Sequence, residues 1–324
     1  MIAKDLRILY MGTPDFAVEP LKRLTENGYN IVGVVTVPDK PAGRGQKLRI
    51  SAVKHYAQQQ NIRVLQPEKL RDPEFIKQIE ELNPDLSIVV AFRMLPEIVW
   101  RIPRLGTFNL HASLLPDYRG AAPINWAIIN GDKVTGVTTF LIDKEIDTGN
   151  ILLRQQVDID DNDSAGDLHD KLMLVGANLV EKTVIQLAEG KINPIPQHEF
   201  IDKLHVSRPA PKLFKDTTKI NWNEPASNVH NFIRGLSPYP AAWCQLTNEH
   251  GESVSVKIFR SELVKVEGSC SDMGKITTDG KSFLHIACKQ GTIGVKQLQL
   301  AGKRRLDITD FLSGFRDIKR YCFT

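Results

Sequence analysis

The chain has 324 residues, 42 % hydrophobic, with 42 Lys and Arg against 38 Asp and Glu and a net charge of +4. That length allows one large or two ordinary domains with a substantial core, and two are expected. No apolar run approaches the roughly eighteen residues of a membrane span, and the start, Met1-Ile2-Ala3-Lys4-Asp5, lacks a signal-peptide apolar region, so a cytoplasmic protein with no membrane partner is expected. Cys244, Cys270, Cys288 and Cys322 are far apart with no C-x-x-C pair, which argues against a zinc ribbon or a disulfide framework.

Strand and helix signals alternate from the start. Leu6 to Met11 reads as a strand and Phe16 to Glu26 as a helix that stops at Gly28. The turn between them, Gly12-Thr13-Pro14-Asp15-Phe16, lacks the G-x-G-x-x-G spacing that lets a backbone approach a pyrophosphate, so a dinucleotide site is disfavoured. A strand at Ile31 to Thr36 leads into a Gly/Pro-rich basic loop from Pro38 to Arg49, and a helix follows at Ser51 to Gln60. Further helices are predicted at Pro73 to Leu82 and Ala165 to Glu189, the latter opened by Ser164 as N-cap. Further strands are predicted at Leu86 to Ala91, Gly106 to Leu110, Val137 to Ile142 and Ile151 to Val157. This rhythm implies a Rossmann-like α/β domain with a mostly parallel sheet, whose sites lie at the carboxyl ends of its strands.

The richest stretch chemically is Phe108 to Pro123, FNLHASLLPDYRGAAP, followed by Asp143-Lys144-Glu145-Ile146-Asp147-Thr148-Gly149. Side chains alternate faces along a strand, so Asn109 and His111 share a side if the strand runs that far. When an amine attacks an acyl carbon, negative charge gathers on the carbonyl oxygen, and donors already aimed at that point stabilise it more than they stabilise the substrate. Losing one such donor costs about 3 to 4 kcal/mol of barrier. Asp147 is placed to hold the imidazole in one tautomer or to favour its protonated form. Each residue alone also has an ordinary structural explanation, and Asp-Thr-Gly alone is a turn. The joint pattern is what points to acyl transfer without a nucleophile.

Beyond Val206 the character changes. Ser207-Arg208-Pro209-Ala210-Pro211 reads as an extended linker, because its prolines restrict themselves and their predecessors. The expected division is residues 1–205, a linker at 206–211, and residues 212–324. After a helix at Pro225 to Leu236, five short strands are predicted at Ala242 to Leu246, Val254 to Arg260, Lys275 to Thr278, Phe283 to Ala287 and Thr292 to Gln299, which suggests a small OB-like β-barrel. Residues 209–324 hold 17 Lys and Arg against 11 Asp and Glu, whereas the first 208 hold 25 against 27. The positive excess in the second part, densest at Lys303, Arg304 and Arg305, suits attraction to a phosphate backbone.

At these residues the chain resembles the 10-formyltetrahydrofolate-dependent formyltransferases, whose signature of Asn-x-His-x-Ser-Leu-Leu-Pro, Arg-Gly and Asp-Thr-Gly is matched by Asn109, His111, Ser113, Leu114, Leu115, Pro116, Arg119, Gly120, Asp147, Thr148 and Gly149. The resemblance spans nearly the whole chain. It implies a catalytic trio of Asn109, His111 and Asp147, and 10-formyltetrahydrofolate as formyl-donor co-substrate. The implied folate site comprises Phe92, Arg93, Ser113, Leu114, Leu115, Pro116 and Asp143. No metal is implied.

By the same resemblance the acceptor is the α-amino group of methionyl initiator tRNA, because members acting on it carry a loop like Pro41-Ala42-Gly43-Arg44-Gly45-Gln46-Lys47-Leu48 that meets the tRNA acceptor end. Arg44 is then the principal contact, with Lys40, Lys47, Arg49, Lys303, Arg304 and Arg305 assisting. A monomer with no DNA partner is expected. Where the family usually has Ala-Tyr-Gly in the folate loop, this chain has Ala91-Phe92-Arg93, which exchanges a permissive glycine for a charged side chain. Two rival readings keep the fold: a formyltransferase for a small amino-sugar nucleotide or ribonucleotide amine, and a catalytically silent folate- or RNA-binding protein.

Overall fold

The computed structural model describes residues 2–42, 47–201, 207–265 and 272–324. Its contacts form two compact units, one of residues 1–120, 134–158 and 169–209, the other of residues 121–133, 159–168 and 210–324. The border near Pro209 falls inside the predicted linker. Two excursions of the earlier chain, residues 121–133 and 159–168, also join the second unit, which a reading along the sequence had no means of seeing.

In the first unit, β1 (Ile8–Gly12), β2 (Ile31–Val35), β3 (Lys40–Ala42), β4 (Lys47–Arg49), β5 (Val64–Leu65), β6 (Leu86–Val90), β7 (Thr107–His111), β8 (Val134–Leu141) and β9 (Ile151–Asp158) are strands. All but β3 and β4 form one sheet in the order β5-β2-β1-β6-β7-β8-β9. The pairs from β5 to β7 are parallel, whereas β7 with β8 and β8 with β9 are antiparallel. Central β1 is buried on both faces, with Ile8, Leu9, Tyr10 and Met11 all fully enclosed, which is why it reads as a continuous apolar run. The basic loop predicted at Pro38 to Arg49 is bracketed by an antiparallel pair, β3 with β4, a correction to its reading as loop throughout. Arg44 lies outside the described residues.

The helices of this unit follow their caps. In α1 (Val18–Glu26) a 3-10 turn at Asp15–Ala17 replaces the predicted first residues. Ser51 accepts a hydrogen bond from Lys54 N at 3.0 Å to open α2 (Ala52–Gln59). Asp72 accepts from Glu74 N at 3.0 Å, and Pro73 takes the first position of α3 (Pro73–Leu82). The short α4 (Glu97–Trp100) follows β6. Among the described residues, no helix is long and apolar enough to cross a membrane.

The second unit contains α5 (Pro123–Ile129) and α7 (Ala226–Leu236), tied by the Asn125 amide donating to Gly235 O at 2.7 Å. Between them in sequence runs α6 (Ala165–Ala188), whose first turn belongs to this unit. Ser164 and Asp167 make a reciprocal capping box there, each accepting from the other's backbone N–H.

A barrel-like antiparallel sheet completes the second unit. It is built from β10 (Ala242–Asn248), β11 (Ser253–Val264), β12 (Ile276–Thr278), β13 (Leu284–Ala287), β14 (Thr292–Leu300), β15 (Leu306–Asp307) and β16 (Tyr321–Phe323), with α8 (Ile308–Gly314) before the last strand. The order is β12-β13-β14-β11-β10-β16, with β15 on β14. A bridge from Lys275 to Cys322, with Phe323 N donating to Gly274 O at 2.9 Å, joins the two ends and removes the open edge. Sequence patterning finds five of these strands and misses β15 and β16, which are too short to show alternation.

Closure depends on Gly274, at φ +82°, where an added Cβ would stand 2.0 Å from Phe323 O. Gly274→Ala is expected to cost on the order of 2 kcal/mol or more. Urea unfolding should show a lower midpoint with faster amide exchange in β16; an unchanged midpoint would contradict the closure argument.

Candidate active site

The strand predicted at Gly106 to Leu110 runs one residue further than its apolar pattern, and that residue is His111, the last of β7. Asn109 and His111 therefore face the same side of the sheet. The imidazole is 6 % exposed and stands edge-on to Phe140. Its Nε2 lies 2.8 Å from the Tyr118 carbonyl, an acceptor only, so Nε2 carries the proton. Nδ1 is left facing the Asp147 carboxylate, with Oδ2 at 3.8 Å. The tautomer is thus fixed by a backbone carbonyl, where the sequence pattern had offered Asp147 for that task.

The chain after His111 is folded tightly enough to bring that carbonyl back. The Ser113 hydroxyl donates to Asp117 O at 2.6 Å. Thr138 Oγ1 donates to Ser113 O at 2.7 Å and accepts from Leu115 N at 3.1 Å. Tyr118 takes a left-handed conformation (φ 61°), its N–H donating to Arg208 O at 2.6 Å, and the Arg208 guanidinium lies over its ring. Gly120 then donates its N–H to Asp147 Oδ2 at 2.9 Å, which couples this loop to the carboxylate.

Asp147 arrives by a longer route than the carboxyl-end rule implies. Because β8 is antiparallel to β7, pairing Leu141 with Phe108, the end of β8 lies beside the start of β7. The loop 142–150 folds back along the sheet to place Asp147 near the other end. Asp143 staples this loop, its Oδ1 accepting from Glu145 N at 3.1 Å and from the Thr148 hydroxyl at 2.8 Å. Asp147 has φ 56°, and at Gly149 an added Cβ would stand 1.7 Å from Leu141 O, so only glycine allows so close a return. Asn109 completes the group. Its side-chain oxygen is buried without a hydrogen-bond partner among the described residues. An amide turned by 180° would place its NH2 at that same spot, which gives the site a polar group waiting for a ligand.

Of the residues assigned to folate, Leu114 and Phe92 are half-buried, and Asp143 is exposed with one carboxylate oxygen engaged in the turn. Ser113 and Leu115 are fully buried and Pro116 is buried, so they support the loop from beneath and present no side-chain surface to a ligand. At Ala91-Phe92-Arg93 the left-handed conformation falls on Ala91 (φ 46°), not on Arg93. The Arg93 side chain turns back to donate to Pro67 O at 2.8 Å and Glu68 O at 3.0 Å. Burial holds its guanidinium below the usual arginine range.

The cationic candidates belong to both units. Lys40 is exposed at the start of β3, and Lys47 and Arg49 belong to β4. Lys303, Arg304 and Arg305 are exposed around the turn after β14, and Arg305 stacks on Phe259 with its guanidinium carbon 3.6 Å from the ring centre. Among the described residues, no group of three His, Cys, Asp or Glu is arranged to hold a metal ion.

Sequence reasoning missed Tyr118, whose backbone orients the imidazole, and Gln197, which braces the Asp147 turn from a 3-10 helix at Gln197–Phe200. Neither role leaves a sequence signal, since one uses a main-chain atom and the other a glutamine far along the chain from the turn it braces. Nitrogen NMR of labelled histidine should find neutral His111 protonated at Nε2, and an Nδ1–H form would overturn the geometry above.

Two domain models describe this chain, formyl transferase over residues 6–184 and formyl transferase, C-terminal domain, over residues 212–316. A methionyl-tRNA formyltransferase of Parabacteroides distasonis is 56 % identical over 322 residues, 99 % of each chain. Another, from Flavobacterium johnsoniae, is 49 % identical over 96 % of each chain. Among solved structures, the sugar 3N-formyl transferase WlaRD, studied with dTDP and 5-N-formyl-THF, superposes with a TM-score of 0.64 at 22 % identity, covering 92 % of this chain and 99 % of that one. HypX from Aquifex aeolicus in complex with tetrahydrofolic acid gives 0.62 at 17 % identity, over 96 % of this chain and 48 % of that one, so both show the fold alone. With a sheet of this topology, a barrel-like second unit and near-complete overlap with such relatives, the chain belongs to the formyl transferase family.

Proposed function

We propose that the chain transfers the formyl group of 10-formyltetrahydrofolate to the α-amino group of methionyl initiator tRNA. The observation that carries this reading is the pairing of His111 with Asp147, Nδ1 to Oδ2 3.8 Å, at the end of the strand that carries Asn109 on the same face. Full-length similarity to relatives named for that reaction supplies the acceptor.

The chemistry follows from the groups present. The neutral amine attacks the formyl carbon, a C–N bond forms, and negative charge gathers on the formyl oxygen. The Asn109 NH2, and the imidazole in its protonated form with a donor at both nitrogens, stabilise that charge. Since Nε2 is committed to the Tyr118 carbonyl, Nδ1 is the nitrogen that serves the reaction. Asp147 takes the proton released by the amine, directly or through a water, and returns it to the folate nitrogen as the bond from that nitrogen to the formyl carbon breaks. The proton lost by one amine is gained by the other, so the enzyme ends as it began.

All three side chains come from a single chain, which suits a monomer. Arg44, Lys40, Lys47 and Arg49, with Lys303, Arg304 and Arg305 of the second unit, supply the charge for the tRNA backbone, and Phe92, Leu114 and Asp143 border the folate. Initiation of translation places the protein in the cytoplasm.

The direct test is an assay of purified enzyme with labelled 10-formyltetrahydrofolate and charged initiator tRNA. His111→Ala or Asp147→Ala should lower single-turnover transfer by about a hundredfold or more while folate binding is kept. Near-normal rates would exclude the assigned roles. Arg44→Ala should weaken tRNA binding and lower the slope of log affinity against log salt by about one. Activity on an amino-sugar nucleotide alone would favour the rival substrate, and no transfer to any amine would favour a silent binding protein.

A further inference from the structure

Gln197 lies well outside the signature residues, yet it is 4 % exposed and spends its whole hydrogen-bonding capacity on the catalytic turn and one arginine. Its Nε2 donates to Asp147 O at 2.8 Å and to Gly149 O at 2.9 Å. Its Oε1 accepts from Arg119 Nε at 3.0 Å and Nη2 at 2.6 Å. Two donors and two acceptor sites are all a primary amide has, and here all are used. The orientation is not arbitrary. A turned amide would aim its NH2 at a guanidinium and its oxygen at two carbonyls, setting like against like on both sides.

The turn needs this brace. Asp147 holds a left-handed conformation (φ 56°), which a residue with a side chain adopts only when its surroundings over-determine it, and the cost is about 1 to 2 kcal/mol. The loop also folds back over the sheet, so nothing in its own strand register sets the reach of the carboxylate. Gly120 N grips the carboxylate end and Gln197 grips the main chain beneath it. Arg119 is the neighbour of Gly120, so the two grips share one short stretch of chain.

We infer that Gln197, anchored by Arg119, is a positioning residue for formyl transfer: it fixes the Asp147 turn so that the carboxylate stands beside His111. This rests on the proposed function. Two of the Arg119 donors are spent on orienting the amide, and a shift of the carboxylate by about 1 Å is enough to cost two orders of magnitude in rate.

The test is kinetic, with single-turnover transfer of labelled formyl to charged tRNA. Gln197→Leu should lower the rate by about tenfold or more and leave KM for both substrates within about twofold, since neither substrate touches the amide. In an Asp147→Asn background the same change should cost nothing further, because the group it positions is already disabled. Gln197→Glu keeps the volume and the Arg119 pairing but sets a carboxylate oxygen against two carbonyls. It should lose activity in protein whose circular dichroism is native, and it decides the matter by the same comparisons if Gln197→Leu does not fold. A wild-type rate in either folded variant, or losses that multiply in the double variant, would overturn the inference. Wild-type protein that transfers no formyl to methionyl-tRNA would overturn the proposed function instead, whatever the variants do.

Discussion

Asp147 Oδ2 stands 3.8 Å from His111 Nδ1 and accepts the Gly120 N–H at 2.9 Å, so one carboxylate joins the end of β7, the loop after it and the turn between β8 and β9. The local shape of each of these segments follows from that junction. Tyr118 must turn left-handed to bring its carbonyl under Nε2. Gly149 must lack a Cβ so that the turn can pass over Leu141 O. Ser113 and Thr138 use their hydroxyls on main-chain atoms, fixing the curvature of the intervening loop rather than offering themselves to a substrate. The geometry of the candidate site is mainly a matter of backbone held in unusual places by hydrogen bonds from side chains.

The change from parallel to antiparallel pairing at β7 and β8 explains why the site departs from the general rule for open α/β sheets. In a wholly parallel sheet, every residue at a strand's carboxyl end gathers on one edge. Reversing β8 sends its following loop to the opposite edge, and only a long return brings Asp147 back. The return is costly in backbone freedom, and it gains a carboxylate that approaches the imidazole from outside the strand carrying it. Approach from a separate loop lets the carboxylate meet Nδ1 while Nε2 is held by the loop that follows β7, so both ring nitrogens have defined neighbours.

Much of this architecture was legible in the sequence, and the divisions between success and failure are physical. Pro73–Leu82 matched its predicted bounds because Asp72, Pro73 and a left-handed Asn83 mark both ends locally. β1 and β6 were found because burial on both faces makes them largely apolar, whereas the two-residue β5 was missed. The helix α5 was missed: it is short, begins at Pro123, and its apolar residues pack within the second unit, to which it belongs through contacts that no local pattern records. In the site, the pairing of Asn109 and His111 was readable from period-two spacing. The Tyr118 carbonyl and the Gln197 brace were not, because main-chain acceptors and long-range amide contacts have no residue-type signature.

Arg93 shows how a departure from a family pattern is absorbed. The left-handed residue of this loop is Ala91, and Arg93 runs in ordinary backbone geometry. The guanidinium fork then donates to the carbonyls of Pro67 and Glu68, just beyond β5, so that it ties the loop after β6 to the loop after β5. Its charge stands 5.3 Å from the centre of the Phe92 ring. An arginine spent in this way is a strut: its donors are directed at carbonyls within the protein and its partial burial lowers the tendency to hold charge. The substitution trades the freedom of a glycine for a cross-link between two strand ends.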